Sequence, residues 1–386
     1  MHRPSRLRRV PAWPTFLLLG SALAILALIA LVSPVHATGT LPQEDIPNDF
    51  CLGCHQNQDI TLSLGNESLS ATINPIQFGL SVHAEANIAC VDCHTDIRDY
   101  PHPIVTEKSV RAFSLGLSQS CGECHAEKYS SGHDSVHQKA ITEGNEQAPL
   151  CADCHNPHTQ VRLIGTESGQ LTIAARLHVP QVCAECHGDK YEQYSASVHG
   201  RALTEGRNRD VPTCTDCHGV HQISDPTTAS FRNSTPALCA DCHANPEIMD
   251  QYGISTNVLD TYVADFHGTT VKLFAEQFPD QPTNKAVCTD CHGVHDIARV
   301  DDPATGIALR ENLLPKCQQC HPDATANFPA AWLSHYEPSP EHAPLVYYVN
   351  LFYKIFIPAV IGGMIFFILT DIYRRAADRP KGAKRK

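Results

Sequence analysis

The sequence predicts a mostly α-helical and irregular fold, with short helices and loops wrapped round a chain of bound cofactors. A small β-hairpin near the N-terminus and a transmembrane helix near the C-terminus complete it. Three observations predict this class. The string C-x-x-C-H occurs nine times, beginning at Cys51, Cys90, Cys121, Cys151, Cys183, Cys214, Cys239, Cys288 and Cys317, and these copies use all 18 cysteines. From Cys51 to His335 there are 285 residues, about 32 per motif, too few to build layers of sheet and helix round an apolar core. The 27 prolines suit many short, interrupted elements better than long helices.

Each motif carries its own chemistry. The pairs are Cys51 and Cys54, Cys90 and Cys93, Cys121 and Cys124, Cys151 and Cys154, Cys183 and Cys186, Cys214 and Cys217, Cys239 and Cys242, Cys288 and Cys291, and Cys317 and Cys320. Two cysteines three apart present two thiols that add to the two vinyl groups of one porphyrin. The next residue is always histidine (His55, His94, His125, His155, His187, His218, His243, His292 and His321), placed to sit under the iron as its first axial ligand. The reading is nine covalently bound haem c groups. Zinc sites and disulfides also use paired cysteines. Neither explains a histidine after every second cysteine, an arrangement that chance gives with a probability on the order of 10^-11. Loss of the cofactors is expected to unfold the chain, because they supply its buried surface.

Taken in order, the elements begin with residues 1–37, where a basic start and the apolar run 16–32 precede Val35-His36-Ala37. This reads as a signal peptide, or as a retained N-terminal anchor, and either puts the haem region outside the cytoplasm. Residues 61–73 alternate about Gly65-Asn66 as a small hairpin.

The region 38–344 is a degenerate repeat of paired motifs, whose units start at Cys51, Cys121, Cys183 and Cys239, with a half-unit at Cys317. Five histidines follow the odd-numbered motifs at matching places: His83, His137, His199, His267 and His335. Four follow the even-numbered motifs: His102, His158, His221 and His295. Five and four supply one second ligand per haem, and an iron held by two histidines is full, low-spin and suited to passing electrons. His158, His221 and His295 stand three residues after their motif histidines, too close to cross their own porphyrin, so they are expected to ligate a neighbouring haem. His133, His178 and His342 stand outside this set, His178 as a solvated loop residue. Met249 is the only methionine of the haem region. Tyr129, Tyr191, Tyr194 and Phe266 are expected against porphyrin faces.

Residues 345–370 read as a transmembrane helix, with Tyr347, Tyr348 and Tyr353 as an aromatic belt and 371–386 as a basic cytoplasmic tail by the positive-inside rule. Residues 38–353 keep 17 basic and 39 acidic side chains, a formal balance of −22. That argues against nucleic acid and suits soluble partners with basic docking faces.

At its paired motifs the chain resembles the multihaem cytochromes c with doubled C-x-x-C-H motifs, of the membrane-anchored, cytochrome b-associated respiratory type. The resemblance extends to the stretch HYEPSPEHAPLVYYVNLFYKIFIPAVIGG. It implies a respiratory electron-transfer subunit working with a membrane cytochrome b or quinol-oxidising subunit and with a soluble or extracellular redox partner. Two other readings stay open: a multihaem oxidoreductase acting on a small nitrogen or sulfur compound, and a direct quinol dehydrogenase. The first needs an iron with an open position.

Overall fold

The computed structural model describes residues 46–329, 335, 337–341 and 343–378. The leader or anchor expected over residues 1–37, His342 and the tail beyond residue 378 lie outside the described residues. As expected, the described chain is mostly helical and irregular, with one two-stranded antiparallel sheet.

Between the sheet and the C-terminal helix, the α-helices run from four residues at Cys90–Cys93 to fifteen at Ala229–His243. Their starts are written in the sequence. Ser81, Ser135 and Ser197 are buried, and each accepts from a backbone N–H three residues on, opening the helices Val82–Glu85, Val136–Thr142 and Val198–Thr204. The fourth helix of this kind, Phe266–Gln277, is capped by Asp265. All four carry their histidine at the second helical position: His83, His137, His199 and His267.

The even-numbered motifs share a second device. Asp92, Asp153, Asp216 and Asp290, between the two cysteines of their motifs, accept from the backbone N–H just before the first cysteine at 2.6–2.7 Å. Each carboxylate satisfies a helix-end donor and sits where the helix dipole favours negative charge. The helices Cys214–His218 and Cys288–His292 then stop at Gly219 and Gly293, both at φ 82 with ψ near 180°, a region open essentially only to glycine. The chain thus leaves the helix directly after the motif histidine. His221 and His295 lie beyond this break, off the helix that carries the motif.

Buried side chains are few and scattered. The largest fully buried ones are Leu64, Leu203, Val271, Val287, Thr213 and Ser81, from different elements. They do not add up to a layered apolar core, in keeping with an interior left for cofactors.

The hairpin pairs Thr61–Leu64 with Glu67–Ser70 about Gly65-Asn66. Gly65 alone of the two has positive φ, the pattern of a turn that matches strand twist. Leu64 is fully buried, and Glu67 accepts from the Val110 N–H at 2.6 Å. One expectation fails: His178 is exposed, but on the helix Ile173–Ala184 rather than a loop. Thr172 caps that helix, and the chain's proline content hid it because Pro180 lies within it.

The C-terminal helix is Pro344–Ala377, 34 residues with a mean hydropathy of 2.2 over its most apolar stretch. At 1.5 Å per residue it is about 50 Å long, more than a bilayer core requires. It is long and apolar enough to cross a membrane. Asp371 near its end pairs with Arg374 and Arg375.

Candidate haem-binding sites

The motif histidines do not stand alone. Every one of the nine faces a second histidine ring. The pairs are His55–His102 at 5.9 Å between ring centroids, His94–His158 at 6.2 Å, His125–His83 at 6.2 Å, His155–His221 at 6.1 Å and His187–His137 at 6.3 Å. His218–His295 at 6.0 Å, His243–His199 at 6.2 Å, His292–His335 at 6.2 Å and His321–His267 at 6.3 Å complete the set. The nine partners are the nine histidines singled out in the sequence.

The spacing carries a physical meaning. An iron between two imidazoles needs bonds of about 2 Å on each side, and each ring centre lies about 1.2 Å behind its nitrogen, so the centroids should stand about 6.3 Å apart. Ring-to-ring packing would couple distance to tilt. Here the tilt runs from 6° to 61° while the separation stays within 5.9–6.3 Å. A fixed gap at variable tilt fits a central atom.

The rings are also held in the required form. The Nδ1 of His55 faces the Ala71 carbonyl at 2.7 Å and that of His83 faces the Pro157 carbonyl at 2.9 Å. His155 Nδ1 meets Gln160 Oε1 at 3.2 Å. A carbonyl only accepts, so Nδ1 carries the proton and Nε2 keeps its lone pair for a metal. Burial pushes His199 and His292 down to about 4, and the facing rings His243 and His335 add to the effect. Neutral imidazole, the ligating form, is therefore favoured.

The thiols order the motifs into a chain. Within each full repeat the first cysteines of the two motifs lie close enough to act on one another's thiols: Cys51 and Cys90, Cys121 and Cys151, Cys183 and Cys214, Cys239 and Cys288. Between repeats, Cys93 interacts with Cys124, Cys154 with Cys183, Cys217 with Cys239 and Cys291 with Cys317. Each motif thus neighbours the next in sequence. All 18 cysteines are free of disulfides, and no group of three or more His, Cys, Asp or Glu among the described residues converges as a bare metal site.

Two protein-family models match stretches of the chain. Residues 76–156, holding the second to fourth motifs, match the model for cytochrome c7 and related cytochrome c. Residues 207–247, holding the sixth and seventh, match that for the doubled CXXCH motif. The chain is a multihaem c-type cytochrome. No solved structure matches it.

The cytochrome contains a clamp that the spacing of cysteines and histidines did not reveal. Arg111, Arg176 and Arg232 precede the odd-numbered motifs and pair with Asp153, Asp216 and Asp290 of the even-numbered ones at 2.8, 3.0 and 2.6 Å. Arg176 and Arg232 also donate to the carbonyls of Val211 and Lys285. The signal was present: all four even motifs carry aspartate before their second cysteine.

Tyr194 and Tyr262 donate their hydroxyls to the Pro212 and Ala286 carbonyls, both at 2.8 Å, a repeated strut within the third and fourth repeats. Their backbone carbonyls lie directly against Gly200 and Gly268, leaving no room for a Cβ beside His199 and His267. Phe266 is exposed, with the Lys285 ammonium 4.6 Å from its ring centre. His133 packs against Tyr129, and Met249 is buried. Neither takes a place in the nine histidine pairs.

Proposed function

We propose that this cytochrome is a nine-haem electron conduit anchored in a membrane by the helix Pro344–Ala377. It carries electrons between a membrane quinol-oxidising or cytochrome b partner and redox partners outside the cytoplasm. One observation carries the reading: every motif histidine has a facing histidine at the separation of a doubly ligated iron. On this reading each C-x-x-C pair would hold one porphyrin covalently, and the two facing histidines would ligate its iron. Haem iron so held supplies reversible one-electron exchange and offers no coordination site to substrate. The chain's own residues do the rest. The Nδ1 contacts of His55, His83 and His155 fix ring orientation, and the Arg–Asp clamps hold successive motifs side by side.

The acidic balance of the haem region supports docking to partners with basic faces. The test is low-temperature electron spin resonance of the oxidised, purified protein with haem quantitation. Nine haems per chain, all low-spin, is the expected outcome. A stoichiometric high-spin haem that binds nitrite or carbon monoxide would overturn it in favour of an oxidoreductase. Co-purification of a cytochrome b, lost when residues 344–386 are removed, checks the membrane partner.

A further inference from the structure

We propose, resting on the two-histidine reading, that the repeats are cross-braced. Each joint between neighbours is closed by a reciprocal exchange of iron ligands, one histidine passing in each direction.

The exchange follows one rule along the molecule. At the joint of the second and third repeats, His137 of the second faces His187 of the third, while His221 of the third faces His155 of the second. At the joint before it, His83 passes forward to His125 and His158 passes back to His94. At the joint after it, His199 passes forward to His243 and His295 back to His218. The half-repeat obeys the same rule, with His267 forward to His321 and His335 back to His292.

The backbone repeats the pattern independently of the rings. The residue before each forward histidine donates its N–H to the carbonyl two residues after the backward one. These bonds are Val82 to Gln160 at 2.8 Å, Val136 to Ile223 at 2.8 Å and Val198 to Ile297 at 2.9 Å. At the last joint a side-chain bond from Asn257 to Glu337 at 3.1 Å links the two repeats instead. In the three full joints, then, one hydrogen bond ties the forward and backward segments side by side. This fixes both rings at once, so a slip of one segment would carry both histidines off their irons.

Two consequences separate this from a chain of self-sufficient modules. No interior repeat completes the coordination of its own haems. The first repeat turns its even-motif histidine home: His102 faces His55 of the same repeat.

Low-spin haem per chain, counted by spin resonance in four variants, tests the pairing. His155→Ala and His221→Ala should each lose one low-spin haem. The double variant His155→Ala/His221→Ala should still lose only one, because both act on the same iron. His218→Ala/His221→Ala should lose two. Two lost in the first double variant, or one in the second, would overturn the exchange. Added imidazole should restore the low-spin signal of His221→Ala, which shows that the fold survives. If it does not, the same count on His94, His155 and His158 decides: one haem lost in His94→Ala/His158→Ala and two in His155→Ala/His158→Ala sustain the exchange, and the reverse overturns it. A wild-type protein with fewer low-spin haems than motifs would instead sink the two-histidine reading itself.

Discussion

The first repeat and the interior repeats do the same chemistry with different parts, and the difference follows from position. In the third repeat the even-motif histidine His221 stands three residues after His218, beyond the break at Gly219, and faces backward into the second repeat. In the first repeat His102 stands eight residues after His94, a longer arm that reaches back to His55 of the same repeat. Just after the hairpin, the Ala71 carbonyl meets His55 Nδ1. Where interior repeats clamp two motifs through Arg176 and Asp216, the first uses Asn48, which accepts from the Cys90 N–H and donates to the Ile88 carbonyl.

The largest expected effect comes from removing whole repeats. Excising residues 121–182, one interior period, should leave two fewer haems with every remaining iron low-spin, since His83 then meets His187 and His221 meets His94. Excising residues 51–120 should also remove two haems but open one iron, that of His125, to carbon monoxide. Equal spectra from the two deletions would break the comparison.

Next in size is the clamp. The Arg176 side chain is only 13% exposed, and Arg176→Ala leaves both Asp216 and the Val211 carbonyl without it. Breaking a largely buried ion pair costs about 3 kcal/mol, and Asp216, being partly solvated, brings the expectation nearer 2 kcal/mol. Asn48→Ala removes two hydrogen bonds in the first repeat and should cost about 1 kcal/mol. Denaturant unfolding of the holoproteins ranks the two; a larger loss for Asn48→Ala would reverse the ranking of the first and interior repeats.

The break after the even motifs gives the smallest contrast. Gly219→Ala forces a side chain into a glycine-only conformation and against the Gln222 carbonyl, costing about 1–2 kcal/mol with some loss of the His155 low-spin signal. The matching residue of the first repeat, Thr95, has no positive φ, so Thr95→Ala should leave both stability and spectrum unchanged.

Local features were legible from residues alone. The hairpin announced itself through alternation about Gly65-Asn66, and the C-terminal helix through an unbroken apolar run. The Arg–Asp clamps were not legible, because partners 42, 40 and 58 residues apart share no local pattern. The helix holding His178 was hidden by Pro180, which a helix tolerates here within Ile173–Ala184.

The sequence by itself determined how many C-x-x-C-H motifs the chain offers and which histidines are candidates to pair with theirs. That chemistry is local: two thiols and a ligand within five residues depend on nothing distant. Only the tertiary structure decided which histidine faces which. A ring 64 residues away, as His158 is from His94, reaches its partner through the packing of one repeat on the next, and no spacing along the chain encodes that contact.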